Sequence, residues 1–214
     1  MMQEMPENQT ENPVVLEEET PEQKQEHVHT EEMLQEDLKI PKDRVAVLIG
    51  SGGATKKDLE KKTECQINVD SADGLVEISG YDALRLFDCK DIVLAIGRGF
   101  NPKVALKLLK EEFSLEVIRL RDIVGGNQKQ LERLRSRVIG REGKVRREIE
   151  RLTRCEIAVY GKTISILGDA MDVSTCHRAI EMLLQGAMHK TVYTFLEKQE
   201  EKERMAKDQV KVLG

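Results

Sequence analysis

The stretch Ile139-Gly140-Arg141-Glu142-Gly143-Lys144 has a counterpart 90 residues upstream, Ile49-Gly50-Ser51-Gly52-Gly53-Ala54. The register persists past the glycines: Leu59 answers to Ile149, Glu60 to Glu150, Thr63 to Thr153, Cys65 to Cys155, Ile67 to Ile157 and Val69 to Val159. Further on, Ile78-Ser79-Gly80 corresponds to Ile166-Leu167-Gly168 at an offset of 88, so the second unit's hairpin is two residues shorter. A gap-free correspondence of this length is an internal repeat. The chain is therefore expected to fold as two copies of one small domain. Each copy is built around a glycine loop of the kind that approaches phosphates.

Hydrophobic periodicity and turn residues give each copy the same order. In the first, a short apolar run Leu38-Lys39-Ile40 reads as a strand and a helix from about Asp43 ends at the glycine loop. A second helix runs from Ala54 to about Lys62. Gln66–Asp70 and Leu75–Ser79 alternate like paired strands around Ser71-Ala72-Asp73-Gly74, and a third helix covers about Tyr81 to Ile96. The second copy predicts a strand near Leu115–Arg121 and helices Gln128–Ile139 and Lys144–Thr153. Strands Glu156–Tyr160 and Thr163–Leu167 follow, then a helix from about Met171 to Gln185. Between the copies, Gly97-Arg98-Gly99 breaks the chain and is read first as a turn, with RNA contact as the alternative. Asn101-Pro102 then starts a connecting helix to about Phe113. A last helix is expected from His189 to about Lys207.

Charge divides the chain unevenly. Residues 1–36 hold eleven Glu against one basic residue, Lys24, a net of −10. With a whole-chain charge of −5, the rest carries +5. Residues 119–160 hold twelve Arg and Lys against six acids, whereas residues 43–80 hold five basic against seven acidic residues. The second unit is a candidate polyanion binder and the first is not. The acidic segment is rich in Glu, Gln, Thr and Pro, cannot bury enough apolar surface to offset ordering entropy, and reads as disordered.

Other chemistries find no support. Gly140-Arg141-Glu142-Gly143-Lys144 lacks the glycine spacing of a nucleotide-hydrolysing loop, and Val145 stands where that loop needs Ser or Thr. His27 and His29 lie in the acidic segment, and His177 and His189 have no evident catalytic partner, so no catalysis is expected. Cys65, Cys89, Cys155 and Cys176 lack metal-ligand spacing and read as small buried hydrophobes; no metal and no cofactor are expected. No apolar run reaches membrane-spanning length and no signal segment is visible, so the expectation is a cytoplasmic chain with reduced thiols, no membrane contact and no small-molecule substrate.

A β-α-α-β-β-α order with I-G-x-x-G between its first two helices resembles the type I KH domain, a single-stranded nucleic-acid module. The physical logic is direct: the backbone must turn sharply close to a sugar-phosphate chain, and the amides opening the next helix then face a phosphate. The likeness narrows with Ala95-Ile96-Gly97-Arg98-Gly99-Phe100-Asn101-Pro102, Leu131–Gly140 and Val159-Tyr160-Gly161-Lys162-Thr163. Together these resemble the archaeal two-KH ribosome-assembly proteins, counterparts of the eukaryotic partner-of-Nob factor. The expected fold is α+β: an acidic tail (1–36), a first KH domain (37–98), a connecting helix (99–114), a second KH domain (115–188) and a C-terminal helix and tail (189–214).

The resemblance implies RNA contact through Arg137, Val138, Ile139, Gly140, Arg141, Glu142, Gly143, Lys144, Arg146, Arg147 and Ile157. A secondary set is Ile49, Gly50, Ser51, Gly52, Gly53 and Lys56. The arginines Arg133 and Arg135 lie on the same entering helix, and the bland alternative for this basic stretch is a solvated face of i,i+4 pairs. The resemblance also implies binding near the 3′ end of small-subunit ribosomal RNA, with the alpha subunit of initiation factor two and the ribosomal RNA maturation endonuclease as partners. Two other functional readings stand beside it: a protein-interaction adaptor with incidental RNA binding, and a KH protein acting on messenger RNA or in RNA decay.

Overall fold

The computed structural model describes residues 32–213. The acidic segment, up to residue 31, lies outside the described residues. The first strand, β1 (Leu34–Lys39), starts four residues before the expected apolar run and takes in the last three residues assigned to the tail. The backbone ladder carries it rather than apolar side chains: Leu34 through Lys39 pair one by one with Gly80 through Leu75 of β3 (Leu75–Gly80). The inward-facing Glu36 is matched by Lys90 at 2.8 Å. α1 (Lys42–Ile49), α2 (Ala54–Thr63), β2 (Gln66–Asp70) and α3 (Ala83–Gly97) complete the first unit, with strand order β1-β3-β2. Asp82 caps α3 by accepting from the Leu84 and Arg85 amides.

The expected connecting helix is cut short. α4 covers only Pro102–Ala105, capped by Asn101, and tightens into a 3₁₀ turn over Leu106–Leu109. The chain then extends, because Phe113 already belongs to β4 (Phe113–Arg119), two residues ahead of the expected strand. A short α5 (Leu120–Val124), absent from the sequence reading, follows. α6 (Gln128–Ile139), α7 (Lys144–Thr153), β5 (Glu156–Tyr160), β6 (Thr163–Asp169) and α8 (Ala170–Leu184) repeat the first unit, with order β4-β6-β5. α9 (His189–Leu213) packs back through the fully buried Val192 and Leu196.

The repeat extends to small polar details. Thr63 and Thr153 are buried and bond back to the carbonyls of Leu59 and Ile149 at 2.9 and 2.7 Å. A Cβ on Gly80 or Gly168 would stand 3.1 or 2.8 Å from the sulfur of Cys65 or Cys155. The four cysteines are buried free thiols, as expected of small hydrophobes; burial pushes Cys89 up to about 12.

The two sheets differ in what covers them. In the second, Ile118, Ile157, Ile164 and Ile166 face the helices, while Ala158 and Leu167 on the opposite face join the first unit's core beside Phe100, Ala105 and Leu108. That sheet is covered on both sides. The first sheet turns Gln35, Asp37, Gln66 and Asn68 to solvent. A hydrogen bond from Tyr160 to the Asp43 carboxylate and the Lys107–Glu156 pair at 2.9 Å also cross the seam. No described helix is long and apolar enough to cross a membrane.

Leu167 is wholly buried at this seam. Leu167→Ala should cost about 2–5 kcal/mol. Denaturant unfolding should show a lowered midpoint; an unchanged midpoint would mean the seam contributes little.

Candidate nucleic-acid interface

Each glycine loop is set by one backbone conformation. Gly140 has φ 72° and ψ 177°, and Gly50 has φ 73° and ψ 177°. This region is essentially closed to residues with a Cβ. Packing closes it as well: a Cβ on Gly140 would lie 2.3 Å from Val145 Cγ2 and 2.9 Å from the Val145 nitrogen, and one on Gly50 would meet Thr55 in the same way. The following helix therefore starts directly against the end of the preceding one. Gly143 and Gly53, both left-handed, form the caps of α7 and α2 and offer no side chain to the first-turn amides. By contrast α3, α6 and α8 are capped by Asp82, Asn127 and Asp169. Uncapped amides at the positive end of a helix dipole attract anions.

A latch holds the following helix to the edge strand. The Ile157 amide donates to Glu150 Oε1 at 2.9 Å, and the Ile67 amide to Glu60 Oε1 at 3.0 Å. Arg146 and Lys56 stand 3.6 Å from those same carboxylates. Burial pushes Glu150 above the ordinary carboxylate range, opposed by the Ile157 amide. Ile157 is thus buried in the strand beside α7, and Ile139 is half-exposed at the loop end. The repeat matches Glu60 with Glu150, and the solvated-face alternative makes Glu150 only a charge partner of the arginines. Their spacing, four residues after a cation and seven before a strand isoleucine, was the available signal.

The predicted cations separate into two groups. Arg137 is anchored: its guanidinium donates to the carbonyls of Leu183, at 2.7 Å, and Ala187, tying off the end of α8. Two of its five N–H donors are thereby engaged, which fixes the guanidinium against the end of α8. Arg133 lies four residues away on the same helix face, lining a cleft with Ile123, Leu134 and Leu184. Arg135 lies 200° round from it, and Val138 is buried in the core. Arg151 pairs with Glu148 at 2.7 Å, and Arg154 with Asp172 and Glu203 at 2.7 and 2.6 Å. The solvated-pair alternative thus describes the far end of α7.

At the loop end, Arg141, Lys144 and Arg147 have no ion-pair partner among the described residues. Arg147 Nη1 lies 3.2 Å from where a Gly143 Cβ would be, so its guanidinium rests on the loop. Glu142 is exposed and left-handed, at φ 53°. In the first loop Ser51, Gly52 and Ala54 replace Arg141, Glu142 and Lys144, so Lys57 is the counterpart cation left without a partner among the described residues.

Two units of this topology, each with a GxxG turn opening an uncapped helix, define a tandem KH protein. The profile of the eukaryotic-type KH domain (KH-domain type I) matches residues 114–201, and that of the KH domain matches residues 35–95. A KH domain-containing protein of Methanocaldococcus jannaschii is 48% identical over 174 residues, which are 79% of this chain and 76% of the relative. The crystal structure of Dim2p from Pyrococcus horikoshii is similar at 45% identity and a TM-score of 0.72, covering 77% of this chain and 99% of that one. The a/eIF2alpha-aDim2p-rRNA complex from the same organism is similar at 44% identity and a TM-score of 0.74, covering 79% and 96%. The chain belongs to this family of two-KH-domain proteins.

The two glycines of the loop should respond differently. Gly140→Ala must displace Val145, whereas Gly143→Ala meets only the end of a flexible arginine and costs about 1 kcal/mol of backbone strain. Equilibrium unfolding should find Gly140→Ala the more destabilising, and the reverse order would refute this account of the turn.

Proposed function

We propose that this chain is a single-stranded RNA-binding protein of ribosome assembly whose second KH unit makes the principal contact. The observation that carries the reading is the loop of that unit: three cations without an ion-pair partner among the described residues, Arg141, Lys144 and Arg147, stand at the start of α7, which no side chain caps. A phosphate chain lying on the loop would meet backbone donors and guanidinium groups together, and its bases would reach the groove between Ile139 and Ile157. Gly140, Glu142, Gly143, Lys144 and Arg146 complete the site, Arg146 by holding the Glu150 latch. The first unit, through Ile49, Gly50, Ser51, Gly52, Gly53 and Lys56, has the same backbone and fewer free cations, and is the weaker binder.

Ribosomal RNA is the proposed target, near the 3′ end of the small-subunit molecule. The relative from Pyrococcus horikoshii forms a complex with rRNA and a/eIF2alpha, which supports both as partners here. The maturation endonuclease is proposed on family resemblance. The adaptor reading has one observation in its favour, the outward Leu84 and Phe87 on α3, 78% and 61% exposed.

The test is a titration of a labelled RNA carrying the small-subunit 3′ sequence against the full chain. Placing Asp at both Arg141 and Glu142 should remove most of the affinity, and placing Asp at Ser51 and Gly52 should remove little. Equal losses would overturn the asymmetry; no binding by the unsubstituted chain would favour the adaptor.

A further inference from the structure

A second basic cluster sits where the two units meet. Arg98 is held between two glycines that packing fixes. A Cβ on Gly97 would lie 2.6 Å from Ile40 Cγ2, and one on Gly99, at φ 106°, would lie 3.0 Å from Tyr160 Cβ. Arg98 is thus pressed against the hairpin end of the second sheet. There Arg119, Thr163 and Tyr160 form one row across β4, β6 and β5. The row lies on the face turned away from α6–α8, because the preceding row, Ile118, Ile164 and Val159, packs into the helix-side core.

Nothing in the described residues neutralises this cluster. The Nε of Arg98 is buried without a hydrogen-bond partner. Burial, and then the charge of Arg119, push the Arg98 guanidinium below its ordinary range. Neighbouring groups are already engaged: Asp43 accepts from the Tyr160 hydroxyl, and Arg44 donates to the carbonyls of Ile96 and Phe100 at 2.8 and 2.7 Å. Arg119 and Lys162 are exposed and make no ion pair among the described residues. Two like charges beside a buried, unsatisfied donor are unfavourable unless an anion completes them.

We propose that Arg98 and Arg119, with Lys162 at the adjoining turn, form a second phosphate-binding station that receives the RNA backbone beyond the second unit's loop. The proposal rests on RNA binding by that unit and extends its path. Tyr160 lies three residues along β5 from Ile157, about 10 Å. The cluster lies on the opposite face of the sheet from Ile157, with Arg119 two strands across from Tyr160, so an RNA longer than the four nucleotides held at the loop reaches it by passing round the hairpin end. A phosphodiester suits it because it is compact, fully charged and accepts two donors from a guanidinium.

The test compares an RNA of four nucleotides, enough for one loop, with one of about twelve. Both are titrated over a salt series against the full chain, Arg119→Gln and the double variant Arg98→Gln with Arg119→Gln. The longer RNA should bind the double variant about tenfold more weakly. Its log–log salt slope should fall by about 0.7 for each phosphate that is no longer neutralised, and the short RNA should bind unchanged. Relief of like-charge repulsion should leave Tm unchanged or higher; if the double variant loses Tm, the exposed Arg119→Gln alone decides. Unchanged binding of the longer RNA would overturn this station and leave the loop reading intact. A parallel titration with poly-glutamate that is weakened while RNA binding is not would assign the cluster to an acidic protein surface and overturn the proposal. No binding of either RNA by the unsubstituted chain would overturn both readings.

Discussion

The architecture of both units turns on a peptide conformation that only glycine accepts. At Gly50 and Gly140 the backbone takes a positive φ with an extended ψ, and the next helix begins so close that its Thr55 or Val145 occupies the space of a missing Cβ. From this one contact follow the short distance between paired helices, helix starts at α2 and α7 that no side chain caps, and the placement of whatever follows the turn. The two loops have the same dihedral angles to within a few degrees: Gly52 and Glu142 at φ 60° and 53°, Gly53 and Gly143 at 78° and 74°. What distinguishes the units chemically is therefore the side chains on that frame. Glu142 stands where the first unit has glycine, so the second loop carries backbone strain of about 1–2 kcal/mol that the first does not.

Around this frame the molecule is asymmetric. The second sheet is covered by helices on one face and by the linker and first unit on the other, while the first sheet leaves a polar face open. α9 adds a further layer behind the second unit, with Arg154 bridging the end of α7 to Asp172 and Glu203. The unit with the more basic loop is thus the more heavily buttressed. Preorganised donors lose less entropy on binding, so rigidity and charge act in the same direction.

Much of this was legible in the sequence because a repeat is read by comparison rather than by propensity. The offset of 90 placed both glycine loops, the helix pairs and the hairpins, and Thr63/Thr153 and Cys65/Cys155 proved equivalent in space. What escaped depended on tertiary partners. β1 begins at Leu34 because β3 offers it a ladder, although Leu-Gln-Glu-Asp has no apolar alternation. The connecting helix stops early because Phe113 is drawn into the second sheet. Arg137 stands close to Gly140 in the sequence, and nothing there shows that carbonyls 46 and 50 residues away take two of its donors. Left-handed Glu64 and Arg154 end α2 and α7 at positions where glycine would have announced the turn. Charge density marks the region around the second loop; ion pairing separates the cations within it.

The central claim is that the second unit's loop holds RNA through its backbone amides as well as its cations. Amide hydrogen exchange of the full chain, with and without single-stranded RNA, reads those amides directly. The account predicts added protection concentrated over residues 141–147, with weaker or no change over the equivalent residues 51–57. Equal protection of the two loops, or protection confined to other surfaces while both loops stay unchanged, would contradict it.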